Sequence, residues 1–145
     1  FQTSLSGELY ALLAERSTLL KAGSAIANEQ DERDGFDAGL RRIRELSNVP
    51  LTHLLFEVRA RQLIQGLSPT AAGAFLSGLI IGQDVLGALP LFDQASPNAA
   101  VPIIGAPKLA ALYSAALAGY GINSFALDAT ALTVAGLTAL AQSGS

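Results

Sequence analysis

The sequence predicts a helix-rich α/β fold with a small, mainly parallel sheet. Two short apolar runs, at 100–104 and 122–127, are each followed by a segment whose apolar residues recur at helical spacing. A strand that leads through a helix to the next strand is the unit from which parallel sheets are built. The residues before 100 show helical patterns and no strand pattern, so helices should predominate there.

Four helices are expected before the first strand. Ser6 can cap a helix from Gly7 to about Leu20, where Glu8 complements the dipole in the first turn. A polar connection, Lys21–Arg33, then precedes a second helix that opens at Asp34. Apolar residues at helical spacing predict the buried faces. A third helix is expected to begin at Pro50 and to end near Gly66. The residues expected to face inward are Leu9, Leu12, Leu13 and Leu20 in the first helix, Phe36, Leu40 and Ile43 in the second, and Leu51, Leu54, Leu55, Val58 and Leu63 in the third.

The fourth helix, Ser68–Leu89, is the most apolar segment of the chain. Ser68 followed by a proline is typical of a helix start. The uncharged part after it, Thr70–Gly82, has about 13 residues against the ~20 that cross a bilayer, so we expect a buried core helix. Small residues recur every four positions, and such a stripe lets another backbone approach closely. This stripe comprises Ala74, Gly78 and Gly82, with Gly73 and Ser77 beside it.

The second part of the chain should contain the sheet. After a loop at Pro90–Asn98, the strand at 100–104 leads to a helix that begins at Pro107 and is closed by Gly121. The second strand, at 122–127, precedes a last helix, Ala129–Gln142, which Asp128 caps. We expect residues 1–142 to form one domain and residues 143–145 to be a disordered tail.

Charge is distributed very unevenly along the chain. Of its nine basic and 12 acidic side chains, only Asp84, Asp93, Lys108 and Asp128 lie beyond Arg61. The second part should therefore be covered by its own helices, by a second copy in a homodimer, or by a missing domain. The chain begins at a phenylalanine and has no methionine, and two strands are few for a parallel sheet. We therefore expect a longer protein that supplies further strands.

Composition excludes several classes of site. The net charge of −3 offers no footprint for nucleic acid or an anionic membrane. The absence of cysteine excludes disulfides and thiolate metal sites, and a single histidine cannot build a histidine-rich metal centre. Because the first residues do not resemble a signal peptide, a cytoplasmic location is expected.

The segment with the most chemistry is Val101–Lys108. A strand runs into Gly105, and Ala106 then precedes a helix that begins with Pro107 and Lys108. The backbone N–H groups and the dipole of such a helix start favour an anion, and glycine permits a close approach to it. A tight strand-to-helix turn without any ligand is the alternative, since no GxGxxG or Walker A pattern is present.

Three weaker candidates lie in the first part. Arg59 could clamp a carboxylate or phosphate, or could be a structural or snorkelling side chain. His53, one turn before Glu57, could be a base, but no nucleophile accompanies it. The acids of the segment Glu29–Asp37 lack the order of a calcium loop and fit a solvated segment.

Four segments resemble one family. Phe1–Leu9, Leu55–Ala60, Phe75–Gly82 and Ile103–Pro107 are similar, in order and spacing, to segments of the 2-dehydro-3-deoxygalactonokinases. This resemblance implies the C-terminal lobe of an actin-like (ribonuclease H-like) kinase, N-terminally truncated. It implies transfer of the γ-phosphoryl of ATP to the 6-hydroxyl of 2-dehydro-3-deoxy-D-galactonate, a step of galactonate catabolism, with Mg²⁺ as the metal cofactor.

The resemblance also implies where ligands bind. Gly105, Ala106, Pro107 and Lys108 would face the nucleotide. The candidates for lining the cleft are Ser6, Gly7, Glu8, Arg59 and Ser77. The family's first phosphate loop has no counterpart in this chain, so the catalytic carboxylate is expected before Phe1, in a missing N-terminal lobe, and the fragment alone should be inactive. A kinase of another sugar specificity and a non-catalytic helical interaction module are the alternatives.

Overall fold

The computed structural model describes residues 5–20, 28–92 and 100–143. These residues confirm a helix-rich α/β chain with a small parallel sheet. The chain divides into two compact units, Phe1–Gln94 and Ala95–Ser145. The elements are α1 (Ser6–Arg16), α2 (Glu29–Glu45), α3 (Leu51–Leu54), α4 (Phe56–Ile64), α5 (Pro69–Phe92), β1 (Val101–Ile104), α6 (Pro107–Ala118), β2 (Ser124–Leu127) and α7 (Ala129–Ser143).

The first unit is built around α5. This helix packs along α2 and also contacts α1, α3 and α4. Ser68 caps its start as predicted, because its Oγ accepts the Ala71 N–H at 3.2 Å. The buried side chains around α5 are almost all aliphatic, so apolar burial holds the unit together. This core comprises Leu19, Ile43, Leu54, Val58, Ala72, Phe75, Leu76, Leu79 and Ile80.

Glycines set the distance between α2 and α5. A Cβ built on Gly39 would lie 2.8 Å from the Cα of Gly78, and one on Gly35 would overlap the carbonyl of Ala71. A Cβ on Gly82 would lie 3.1 Å from Ile43. The small-residue stripe of α5 was expected to let another backbone approach closely, from a missing lobe, a second copy or the same lobe. At Gly78 and Gly82 the partner of the stripe is α2 of the same unit.

The ends of α1 differ from the prediction. Ser6 is not the cap of this helix but its first residue, and Leu5 takes the cap position without a side-chain hydrogen bond. The helix stops at Arg16 rather than near Leu20. The reason is Ser17, whose Oγ donates to the Leu13 carbonyl and accepts the Leu19 N–H at 3.1 Å, so a side chain competes with the helical backbone bonds.

The second helix begins five residues earlier than Asp34. Asn28 caps it by accepting the Gln30 N–H at 3.0 Å, and the acids predicted to lie in a connection form its first turn instead. Negative side chains are stabilising at that end of a helix. The rest of the predicted connection, 21–27, lies outside the described residues.

The fifth helix is longer than predicted because Pro90 lies inside its last turn. The predicted loop is therefore helical at residues 90–92, and residues 93–98 lie outside the described part. The segment Pro69–Leu91 has a mean hydropathy of 1.6 and is long enough to cross a membrane, so the argument that it is too short is wrong. Its burial against α2 and α4 supports a core helix instead.

Most predicted inward residues of the first unit are buried or half-buried. Phe36, Leu40, Ile43, Leu54 and Val58 all lie in the core. The errors are at the edges, because three leucines that were expected to face inward are exposed. These are Leu9, Leu12 and Leu63, the last with 62% of its surface accessible.

The second unit holds the sheet. β1 and β2 pair in parallel, with Val101 opposite Ser124 and Ile104 opposite Leu127. α6 packs on both strands, and Ser124 Oγ donates to Ser114 Oγ of that helix at 3.0 Å. The parallel pairing and both predicted strands are therefore confirmed. The last helix of this unit, α7, has exposed apolar residues, including Leu132, Val134, Leu137 and Leu140.

The predicted helix ends of this unit are also confirmed. Gly121 has a φ of +71°, donates to the Ala118 carbonyl at 3.0 Å, and is followed by Ile122, which donates to the Leu117 carbonyl at 3.1 Å. This is the pattern in which a left-handed glycine closes a helix. Asp128 caps α7 by accepting the Ala131 N–H at 2.7 Å.

Candidate functional site

In the second unit, the candidate segment lies where β1 passes into α6. The strand ends at Ile104, Gly105 forms a bend, and Ala106 takes the cap position of α6. The alanine supplies no side-chain cap, and the first turn of the helix holds no acidic residue. The free backbone N–H groups and the dipole at this end therefore favour a negative ligand, and no carboxylate in the first turn competes for these N–H groups.

Gly105 has no packing requirement in the described structure. A Cβ built on it would meet nothing within 4 Å, and its φ is not positive. Gly87 and Gly136 are equally open, so open space alone does not identify a site. What distinguishes Gly105 is its place between a strand end and an uncapped helix start. Ala106, Pro107 and Lys108 beside it are exposed.

In the first unit, the start of α1 is held by α5. Ser6 Oγ donates to Asp84 Oδ2 at 2.9 Å, across 78 residues of sequence, and both side chains are half-buried. Gly7 and Glu8 follow in the same turn and are exposed, and a Cβ on Gly7 would meet nothing within 4 Å. The turn Ser6–Glu8 therefore presents an open backbone at a fixed position on α5.

Ser77 lies on the same face of α5. A Cβ built on Gly73 would lie 3.4 Å from Tyr10 Oη of α1, and Asp84 contacts Ser6, the first residue of α1. A residue four positions after Gly73 shares its side of a helix, which places Ser77 on this face of α5, where it is half-buried. The contact that the structure shows between α1 and α5 at this place joins Ser6 and Asp84.

Arg59 lies on another helix, α4. It is half-buried on α4 and makes no hydrogen bond or ion pair within the described part of the chain. Its neighbours behave differently: Arg61 lies 4.5 Å above the centre of the Phe75 ring and 3.5 Å from Glu57. Because burying part of a guanidinium without a partner is unfavourable, Arg59 remains a candidate to bind an anion.

Arg42 and Glu57 form the main ion pair of the first unit. Arg42 donates from Nε to both Glu57 oxygens at 2.9 Å and from Nη2 to Oε1 at 2.7 Å. The hydrogen bond from Glu57 raises the pKa of Arg42 above its ordinary value. This pair joins α2 to α4 and is structural, so Glu57 is not available as a partner for His53, which is exposed on α3.

No cluster of three metal-ligating side chains exists among residues 5–20, 28–92 and 100–143. Two acids at the start of α2 already have other partners, since Asp31 accepts from Ser68 at the start of α5 and Glu29 pairs with Arg33. The described residues therefore do not fit a complete Mg²⁺ site. Such an ion would come with its nucleotide and would need carboxylates from elsewhere.

Two polar residues of α5 were missed by the sequence reasoning. Asp84 is the one charged residue of that helix, and a charge within an apolar helix is a signal that it has a partner. Gln83 beside it carries a buried Oε1 that accepts no hydrogen bond among the described residues. Nothing in the sequence pattern points to Gln83.

Comparison with known proteins gives a consistent result. Residues 1–140 match the family model of 2-keto-3-deoxy-galactonokinase. The chain is 32% identical over 113 residues to the 2-dehydro-3-deoxygalactonokinase of Escherichia coli (strain K12). This match covers 78% of this chain and 36% of that protein. A Rhizobium meliloti (strain 1021) protein with the same enzyme name is 34% identical over 143 residues, or 99% of this chain and 45% of that one.

A solved structure shows the same similarity. A crystal structure from Sinorhizobium meliloti, named as a protein of this enzyme type, superimposes with a TM-score of 0.77 at 35% identity. The superposition covers 99% of this chain and 46% of the other. The chain therefore spans less than half the length of these relatives.

Proposed function

Because the chain belongs to the 2-keto-3-deoxy-galactonokinase family, we propose that it is the C-terminal lobe of a sugar-acid kinase. The whole enzyme would transfer the γ-phosphoryl of ATP to the 6-hydroxyl of 2-dehydro-3-deoxy-D-galactonate. The observation that carries this proposal is the family match over residues 1–140, which includes both candidate segments. The missing lobe would supply the first phosphate loop and the catalytic carboxylate.

Nucleotide binding is assigned to Gly105–Lys108 of the second unit. ATP fits this segment because an uncapped helix start presents N–H donors and a positive dipole end to phosphate oxygens. The exposed Lys108 adds a positive charge in the first turn. Phosphoryl transfer depends mostly on positioning and on neutralising charge. When bound, Mg²⁺ would neutralise phosphate charge, with its protein ligands supplied outside the described residues.

Binding of the sugar acid is assigned to residues of the first unit: the turn Ser6–Glu8, with Ser77 and Arg59. A polyhydroxylated acid needs hydrogen-bond partners for its hydroxyls and a cation for its carboxylate. Serine hydroxyls and an open backbone turn can supply the first. The guanidinium of Arg59, which pairs with none of the described residues, can supply the second bidentately. Glu8 would accept hydrogen bonds from hydroxyls at the exposed end of the turn.

The test is an activity assay of the full-length protein that contains this chain. We expect ATP consumption that depends on 2-dehydro-3-deoxy-D-galactonate and is weaker with other sugar acids and with neutral sugars. A preference for another sugar would support a kinase of different specificity. If none of the tested sugars or sugar acids increased ATP consumption, the proposal would be contradicted.

The separate chain provides a second test. Purified residues 1–145 should show no turnover, because the first phosphate loop is supplied by the other lobe. Turnover by this fragment alone would contradict the assignment of the chain as one lobe of the enzyme.

A further inference from the structure

The hydroxyl of Ser6 is oriented by another helix. As the first residue of α1, Ser6 does not cap its own helix, and its Oγ donates to Asp84 Oδ2 at 2.9 Å. A bond from a hydroxyl to a carboxylate is stronger than one between neutral groups. The proton of Ser6 is therefore directed toward α5, and the position of the first turn of α1 is fixed by a contact 78 residues away.

Asp84 is costly in its surroundings. It is the one charged residue of α5, and its neighbours Ile81 and Val85 are buried. Partial removal of a carboxylate from water costs free energy that an apolar side chain would not. Packing alone therefore does not explain a carboxylate at this position, and its hydrogen bond with Ser6 gives it a role.

The direction of this hydrogen bond decides what Ser6 can recognise. A serine hydroxyl has one proton and two acceptor lone pairs. With the proton given to Asp84, Ser6 Oγ acts toward a ligand as an acceptor. It would therefore bind a substrate hydroxyl, which can donate, and would repel a carboxylate or phosphate oxygen, which cannot.

We infer that Asp84 is a positioning residue that makes Ser6 an acceptor for a hydroxyl of the sugar acid. This inference rests on the proposed function, because it places the turn Ser6–Glu8 at the sugar. No proton is transferred in this role: Asp84 remains a carboxylate, Ser6 remains a hydroxyl, and the substrate hydroxyl donates its hydrogen bond to Oγ.

The experiment is a kinetic double-mutant cycle in the full-length enzyme. Ser6→Ala removes the acceptor, and Asp84→Asn lets the hydroxyl turn its proton toward the ligand. Each should raise the KM for the sugar acid about tenfold, the size expected for one hydrogen bond, and leave the KM for ATP within about twofold. The double variant should be no worse than either single one, since both remove the same interaction.

Two further variants separate positioning from general stability. Ser6→Thr keeps the hydroxyl and should recover most of the parental KM. Asp37→Asn, an exposed acid on α2, is the matched control and should not change it. If Asp84→Asn affected only folding, thermal stability would fall and kcat would fall with the fraction of active enzyme, while the KM values for the sugar acid and for ATP would both stay unchanged.

The outcomes distinguish this inference from the proposed function. Absence of sugar-acid-dependent ATP consumption by the parental enzyme would overturn the proposed function, and with it the site on which this role depends. Parental activity with an unchanged KM for the sugar acid in both Ser6→Ala and Asp84→Asn would overturn the positioning role alone.

Discussion

Gly39 of α2 and Gly78 of α5 lie in backbone contact. A Cβ on either residue would lie 3.0 Å or less from the Cα of the other. A Cβ on Gly78 would also overlap the carbonyl oxygen of Phe36. Because these obstacles are backbone atoms, they cannot move aside as a side chain can. The close approach of α2 to α5 therefore depends on both residues remaining glycine.

Gly78→Ala should destabilise the chain. The added methyl group would force α2 away from α5 and cost about 1–3 kcal/mol in the free energy of unfolding. Gly87→Ala is the matched control on the same helix, where a Cβ meets nothing within 4 Å. It should gain about 0.5–1 kcal/mol from helix propensity alone. Urea unfolding measures both, and equal effects of the two substitutions would contradict the packing.

Arg42→Gln should weaken the contact between α2 and α4 and lower the free energy of unfolding. In a double-mutant cycle with Glu57→Gln, we expect a coupling of about 1–2 kcal/mol, because the charged hydrogen bonds are bidentate and partly buried. The control pair is Arg33 and Glu29, which lie 3.4 Å apart with side chains 62% and 88% exposed. Its coupling should stay below about 0.5 kcal/mol.

The same pair has an expected pH dependence. Glu57 raises the pKa of Arg42 in the folded state. A pKa that is higher in the folded than in the unfolded state stabilises the fold. This contribution is fully present at pH values below the unfolded-state pKa and is lost as the pH rises through the folded-state pKa. The contribution of Arg42 should therefore be constant between pH 6 and about pH 9. A loss of the coupling within that range would mean that another group titrates.

The sequence predicted the elements well where local chemistry decides them. Ser68, Gly121 and Asp128 each end or begin a helix as expected, and their hydrogen bonds lie within a few residues. Both strands and their parallel pairing follow from apolar runs that alternate with a helix. These are features that a short window of sequence contains.

The errors arise where distant contacts or competing local bonds decide. The side chain of Ser6 was expected to cap its own helix and instead bonds to Asp84, which no local pattern can show. Ser17 ends α1 through its side chain although the apolar spacing continues to Leu20. The acids at the start of α2 were assigned to a connection because they are polar, but acidic side chains are also favourable in the first turn of a helix.

The candidate site was predictable only in part. Gly105 could be assigned from the sequence because a strand end, a glycine and a proline-started helix form a local pattern. The contact of Asp84 with Ser6 joins residues 78 positions apart in the sequence, so it required the structure. That Arg59 makes no ion pair with another described residue also required the structure, in which the neighbouring Glu57 binds Arg42 and Arg61.

Gln83→Met should stabilise the isolated chain. Gln83 Oε1 is buried without a hydrogen bond among the described residues, and an unsatisfied buried acceptor costs about 1–3 kcal/mol. Methionine keeps the length of the side chain and removes the polar atoms. Thermal unfolding should show a higher midpoint for this variant, with the exposed Gln30→Met as the control. A lower midpoint would show that Gln83 has a partner.

Arg59→Gln in the full-length enzyme should reduce the preference for sugar acids. If the guanidinium binds the substrate carboxylate bidentately, its loss should raise the KM for the sugar acid by about ten- to 100-fold, and Arg59→Lys should recover only part of it. Arg41→Gln, an exposed arginine on α2, is the control. An unchanged KM in Arg59→Gln would return Arg59 to a structural or solvated role.

Gly105→Val in the full-length enzyme should raise the KM for ATP more than that for the sugar acid. Two methyl groups at the bend would fill the space in which a phosphate approaches the backbone before α6. The fold should remain intact, because a Cβ at this position meets nothing within 4 Å. Gly136→Val, an equally open glycine of α7, controls for the general effect of the substitution. Calorimetry measures ATP binding directly, and equal affinities of the parent and Gly105→Val would mean that this glycine serves only the turn between β1 and α6.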